Sequence, residues 1–315
     1  MALDHYVSQV HLRNFYSPAT NRLNALRKSD LKRFPPRSED VCRIEEGSTN
    51  AYLLHDRAIE DFLKCVEPQY NAALAKIRED RLDEQCVLTI AGFAAYISSC
   101  APAAMRVHSA PLKAALEADA EILDRRGVFD KAPESLGGKS LTELLADGSV
   151  HFKVDGKYPQ SLGIRSIIQR VSIFGNSPWE ILHNRESGAP FFTSDYPVPI
   201  EQRSDGVTNR IVPLAPDLAV RIIPDARLSR AQPDLSFAKF RHRGRDLKRA
   251  EIADVNRLIV QCAEDLVFYR DELDWIEPFV AKYRRFRIEG VTDRLPYGTG
   301  FAIIARQRIV ERRAA

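Results

Sequence analysis

Residues 56–79 read Asp-Arg-Ala-Ile-Glu-Asp-Phe-Leu-Lys-Cys-Val-Glu-Pro-Gln-Tyr-Asn-Ala-Ala-Leu-Ala-Lys-Ile-Arg-Glu, and their spacing decides the fold. Ile59, Phe62, Leu63, Val66, Tyr70, Leu74 and Ile77 recur at helical intervals, which lays one apolar stripe along an amphipathic helix. Pro68 lacks a backbone N–H, so a kink or break is expected near Glu67. Downstream, Cys86 through Met105 carries no charged residue over 20 positions, about the length needed to cross a bilayer. Its Thr89, Gly92, Tyr96, Ser98 and Ser99, and its many small residues, point instead to a buried core helix at about 83–100 that ends near Pro102. A third helix is expected at about 103–126, with Leu112, Leu116, Ile122 and Leu123 on one side. The stretch from about 56 to 126 is therefore a helical layer.

Outward from that layer the pattern changes. Residues 18–50 are rich in Arg, Lys, Ser and Pro and read as short strands or loops that wrap a domain. After Gly137-Gly138, a short helix is expected at 140–146, a strand at 149–154 and a helix at 161–174. Strand-like runs follow at Glu180 to His183, Pro190 to Thr193, Arg210 to Leu214 and Leu218 to Ile223. A helix at 248–262 and a strand from Gly300 to Ile309 complete the series. Helices segregated from a mostly antiparallel mixed sheet define an α+β fold. The chain reads as one domain over 1–315, with a mixed α/β remainder at about 140–312.

The 315 residues are 44% apolar and 28% charged, a soluble globular composition. A net charge of +3 argues nothing about nucleic acid by itself, so local clustering has to carry that case. Cys42, Cys65, Cys86, Cys100 and Cys262 are odd in number and widely spaced, which argues for reduced thiols rather than a disulfide frame or zinc ribbon. No apolar run follows Met1, so no secretory leader is read, and a cytoplasmic location with no membrane span is expected. No Walker A loop, dinucleotide fingerprint or H-E-x-x-H motif occurs. The only cofactor left open is a divalent metal ion.

Two short apolar frames present chemically competent side chains. The first is His5-Tyr6-Val7-Ser8-Gln9-Val10-His11-Leu12-Arg13-Asn14-Phe15, and the second is Phe191-Phe192-Thr193-Ser194-Asp195-Tyr196-Pro197-Val198. Together they resemble the DUF4238 family, whose members open with H-Y-V-P-x-x-Y-L-R-N-F and later carry T-S-D-x-P. The run Ile211-Val212-Pro213-Leu214-Ala215-Pro216 resembles the P-L-S-P-like run that follows in the family. The resemblance implies a soluble, bacterial-type protein and supplies no reaction. Three positions depart from the family pattern. Ser8 stands where proline is usual, His11 where an aromatic residue is usual, and Cys100 where an arginine precedes the Pro102 equivalent. Either Arg106, one helical turn past Pro102, substitutes for that arginine in space, or the group is missing from this chain.

The residues allow two functions. In the first, the protein is a metal-assisted or acid–base hydrolase of nucleic acid, with His5, Glu67 and Asp195 converging in one cleft. Arg13, Asn14, Arg106, Ser194, Arg241, Arg243 and Arg284 would then bind substrate. In the second, it is a non-catalytic module for nucleic acid or a protein partner, and both frames are structural. Residues 239–249 hold six positive charges in eleven positions, and Lys282-Tyr283-Arg284-Arg285-Phe286-Arg287 interleaves aromatic and basic residues. An exposed face of Arg241, Arg243, Arg245, Arg284 and Arg285 would hold phosphates and stack bases. Ser194 and Asp195 at a strand end also suit a side-chain-capped turn.

Overall fold

The computed structural model describes residues 3–225, 228, 232–298 and 300–312. The N-terminal wrap contains strand β1 (Leu3–His5), the short helix α1 (Gln9–Arg13), and strands β2 (Asn24–Arg27), β3 (Arg33–Phe34) and β4 (Arg43–Glu45). The helix expected over 56–79 forms as two pieces, α2 (Ala58–Val66) and α3 (Tyr70–Arg78), joined by a 3-10 turn at Glu67–Gln69. Pro68 sits at the start of that turn, where its missing N–H leaves no helical bond broken.

Helices α4 (Glu84–Cys100) and α5 (Pro102–Arg125) follow, with a bend of 59° between them. The Asp83 side chain caps α4 by accepting from the Cys86 N–H at 2.9 Å, a contact worth about 1 kcal/mol. The uncharged segment is the core helix, buried along nearly all of α4. Each large apolar side chain it buries, such as Ile90 or Phe93, contributes about 1.5–3 kcal/mol. Gly92 lets α2 close on α4, since a Cβ there would sit 2.8 Å from a Val66 methyl. Among the described residues no single helix is long and apolar enough to cross a membrane.

The remainder starts with helices α6 (Leu141–Ala146), α7 (Lys157–Arg165) and α8 (Ile167–Asn176). Strands β5 (Pro178–Asn184), β6 (Thr193–Ser194), β7 (Ile200–Gln202), β8 (Thr208–Ala215), β9 (Leu218–Ile222) and β10 (Arg241–Leu247) come next. Helix α9 (Arg249–Cys262), strand β11 (Leu266–Tyr269), helix α10 (Ile276–Tyr283) and the hairpin β12 (Phe286–Tyr297) and β13 (Gly300–Glu311) complete the order. A five-stranded sheet runs β10-β5-β9-β8-β7, with only β10 parallel to its neighbour, and a four-stranded antiparallel sheet runs β3-β2-β11-β6. The fold is α+β, as the sequence predicts.

One apolar core joins the helical layer to the larger sheet through Ile59, Phe93, Val171, Trp179 and Val212. A second lies around α9, with Phe191, Ile211, Ile252 and Tyr269. Three local expectations change. Residues 149–154 form no strand, because no ladder pairs their backbone. The helix at 161–174 is two helices that meet at Ser166. Of 190–193, only Thr193 joins a ladder, together with Ser194. The basic run at 241–247 forms a strand, because β5 offers it a parallel partner.

Candidate functional site

The two sequence frames meet in space through His11, not His5. His11 is fully buried in α1, with its Nδ1 2.7 Å from the Tyr70 hydroxyl and its Nε2 2.8 Å from the Thr193 hydroxyl. Its ring stacks on Phe93 at 4.8 Å between centroids. Burial pushes its pKa down to about 3, so at neutral pH the ring is uncharged and uses one nitrogen as donor and the other as acceptor. The sequence reading treated His11 as a departure from a family pattern. The available signal was helical: His11 and Phe15 lie four residues apart and share the face that packs inward.

Asp195 is also internal. It is 3% exposed, its Oδ1 accepts from the Glu264 N–H at 2.7 Å, and its Oδ2 accepts from the Asp265 and Leu266 N–H groups at 2.8 Å each. These bonds fix the turn between α9 and β11 against β6. Burial raises its pKa to about 6, opposed by the three N–H donors and by Lys28. Lys28 is buried as well, donating to the carbonyls of Ala263 at 2.6 Å and Phe286 at 2.8 Å. The Ser194 hydroxyl accepts from the Tyr196 N–H at 3.1 Å, the side-chain-capped turn that the sequence allows.

His5 and Glu67, two of the three residues expected to share a cleft, lie near each other, and Asp195 is packed against partners of its own. His5 is half-buried beside Ser38, Glu39, Arg43 and Glu67, and burial is the main cause of its lowered pKa. Its Nδ1 lies 3.5 Å from Gln9 Nε2, and its buried Nε2 has no hydrogen-bond partner. Asp195 instead faces backbone donors and Lys28, and none of the five principal cavities is lined by any of the three residues. Glu67 ends α2 at the break, and on the same helix Lys64 pairs with Asp61 at 2.8 Å. Among the described residues no group of three or more His, Cys, Asp or Glu side chains is arranged to hold a metal ion.

The expected substrate-binding residues are mostly engaged within the protein. Arg13 donates to Gln9 Oε1 at 3.0 Å, and Asn14 donates to the Val10 carbonyl at 2.8 Å and to Asn71 at 3.0 Å. Arg106 is no anion clamp, because Glu264 at 2.7 Å and Glu289 at 3.2 Å already neutralise it. Arg243 pairs with Glu180 and Arg245 with Glu251, while Arg284 donates to the carbonyls of Lys28 and Ser29. Of the expected basic face, Arg241 and Arg285 are exposed and form no ion pair among the described residues. Carboxylates therefore neutralise two of its five arginines, Arg243 and Arg245.

A different set of arginines converges. A groove of about 890 Å³ runs between the β7–β8 turn and β13, lined by Arg203, Arg210, Arg306 and Arg308, with Asp205 its only acidic residue among the described ones. Asp205 pairs with Arg203 at 2.6 Å. Arg306 and Arg308 share one face of β13, because side chains alternate along a strand. The walls are tied together by the Gln202 amide, which donates to the Gln307 carbonyl at 3.1 Å, and by Arg210, which donates to Gln307 Oε1. The alternation of Arg306 and Arg308 is visible in the sequence. Their juxtaposition with Arg203 and Arg210, about a hundred positions away, is a product of the tertiary fold.

A family model described as a protein of unknown function (DUF4238) matches residues 4–272. No curated protein and no solved structure matches the chain.

Proposed function

The chain belongs to the DUF4238 family, and on that premise we propose that it is a nucleic-acid-binding module which holds a phosphate backbone in the arginine groove. The reading rests on the groove itself, where Arg210, Arg306 and Arg308 line a channel whose one carboxylate among the described residues is taken by Arg203. Guanidinium groups suit phosphate because their planar fork donates two parallel hydrogen bonds. Two residues of strand span roughly 6.7 Å, so Arg306 and Arg308 can address neighbouring phosphates of one strand.

The test is the anisotropy of labelled RNA, single-stranded DNA and duplex DNA over a salt series. Binding should weaken as salt rises, and Arg306→Glu with Arg308→Glu should lower the logarithmic salt slope by about 2. Retention that ignores both salt and these substitutions would remove the groove from the account.

A second reading is hydrolysis of the bound strand by acid–base or metal-assisted chemistry. One observation favours it: the His5 Nε2 is without a partner and lies within electrostatic reach of Glu67. An unengaged imidazole nitrogen can accept a proton or ligate a metal ion. Cleavage in Mg²⁺ or Mn²⁺ that disappears in His5→Ala would support it, whereas intact substrate under every condition would leave binding alone.

A further inference from the structure

Past Arg210 the groove continues into a second cavity of about 340 Å³, which shares Thr208, Arg210 and Gln307 with it. Arg170 from α8 and Ser98 from α4 line the inner end. Among the described residues no acidic side chain lines this cavity, and neither Arg170 nor Arg210 forms an ion pair. These residues therefore bring two like charges to the cavity and no counter-charge.

Part of Arg170 has a structural task. Its Nη1 donates to the Ser98 carbonyl at 2.6 Å and to the Ser99 hydroxyl at 2.9 Å, satisfying a carbonyl in the last turn of α4. That task explains one arginine and not the second beside it. Arg210 keeps a buried Nη1 with no hydrogen-bond partner among the described residues, and the 2%-exposed Ser98 places its hydroxyl beside Tyr196. Two guanidinium groups in a partly desolvated site repel each other unless an anion joins them. Burial first, and then Arg210, lowers the Arg170 pKa to about 10. Burial first, and then both arginines, lowers that of His108 on α5 to about 3.

We infer that this cavity binds a phosphate monoester dianion, with Arg170 and Arg210 as its guanidinium ligands and Ser98 and Thr208 as hydroxyl partners. A monoester carries a charge of about −1.5 to −2 at neutral pH, which balances two guanidinium groups, whereas a phosphodiester brings one charge. A small phosphorylated molecule or the terminal phosphate of a strand in the groove would supply the same chemistry. The site itself does not depend on the groove reading, and only the second source does.

The experiment is calorimetric titration of the full chain with inorganic phosphate, beside Arg210→Gln, Arg170→Gln and Thr208→Asp, with melting curves to verify folding. Saturable binding that weakens roughly tenfold or more in Arg210→Gln and in Thr208→Asp is the expected result. Thr208→Asp puts a carboxylate at the cavity without touching the Arg170 bond to α4, so the test survives if Arg170→Gln fails to fold. Phosphate binding that is absent, or unchanged in the folded variants, would overturn the inference. Oligonucleotides bearing a 5′-phosphate or a 5′-hydroxyl then separate the sources. Tighter binding of the phosphorylated strand, lost in Arg210→Gln, identifies a strand end, and equal binding beside retained phosphate affinity identifies a small molecule. Arg306→Glu with Arg308→Glu should leave phosphate binding intact, so failure of the groove and failure of this cavity give different results.

Discussion

The junction of the two frames and the arginine groove use polar groups in opposite ways. At the junction, His11, Thr193, Ser194 and Asp195 are buried and each is hydrogen-bonded inside the protein. In the groove, Arg210, Arg306 and Arg308, from two distant segments, have no carboxylate of their own among the described residues. Strand β10 resembles the groove in composition and the junction in behaviour, since Arg243 and Arg245 on it are matched by Glu180 and Glu251. The most recognisable residues of this chain hold it together. Capacity to act on a ligand is left to side chains whose charge the fold does not balance.

The contrast can be broken most severely at Asp195. Asp195→Ala strands three backbone N–H groups and leaves buried Lys28 without its nearby charge, at a cost of about 3–5 kcal/mol. Chemical denaturation should show that loss, and any folded fraction should still bind nucleic acid with wild-type affinity. The mirror image is Arg306→Glu with Arg308→Glu. We expect affinity to fall about 100-fold, roughly 2.7 kcal/mol, with the melting temperature held.

A smaller effect sharpens the junction. His11→Phe leaves the Tyr70 and Thr193 hydroxyls unpaired, costing about 1–3 kcal/mol at neutral pH. The same change should reduce acid sensitivity. The folded-state pKa of His11 is about 3, below its ordinary value of 6.5, so only the unfolded chain takes up the proton first. The stability His11 contributes is thus present above pH 6.5 and lost as pH falls toward 3, by about 1.4 kcal/mol per pH unit. Denaturation midpoints taken between those limits should fall less steeply in His11→Phe. The least effect is expected for Arg243→Gln. Its side chain is 74% exposed, and Glu180 retains Arg221 at 2.6 Å, so stability should change by less than about 1 kcal/mol and affinity within a factor of about two.

Much of the fold was legible because apolar periodicity is a local property. The break at Pro68, the buried α4 and the sequence of helices through α5 all follow from spacing within a few turns. Strand β10 was not legible, since its pairing depends on β5, more than fifty residues earlier in the chain. Strand β12 was missed although its partner β13 was read as a strand. The site was less legible than the fold. Whether Asp195 is a reagent or a staple depends on the N–H groups of Glu264, Asp265 and Leu266, some seventy residues away. Charge counting failed at 239–249 for a related reason, because Glu180 and Glu251 enter only through the sheet and the start of α9.

The C-terminal hairpin has a consequence for inheritance. Gly290 allows β12 to press on the Val107 carbonyl of α5, and Arg106 ties the hairpin base through Glu289. The family match ends at residue 272, ahead of both hairpin strands. Arg203, Arg210 and Arg170 therefore lie in the shared part of the chain, and Arg306 and Arg308 lie beyond it. One bank of the groove thus lies inside the span that the family model matches and the other lies outside it. A descendant could trade the second bank for another and change its partner while leaving every residue of the shared core as it was.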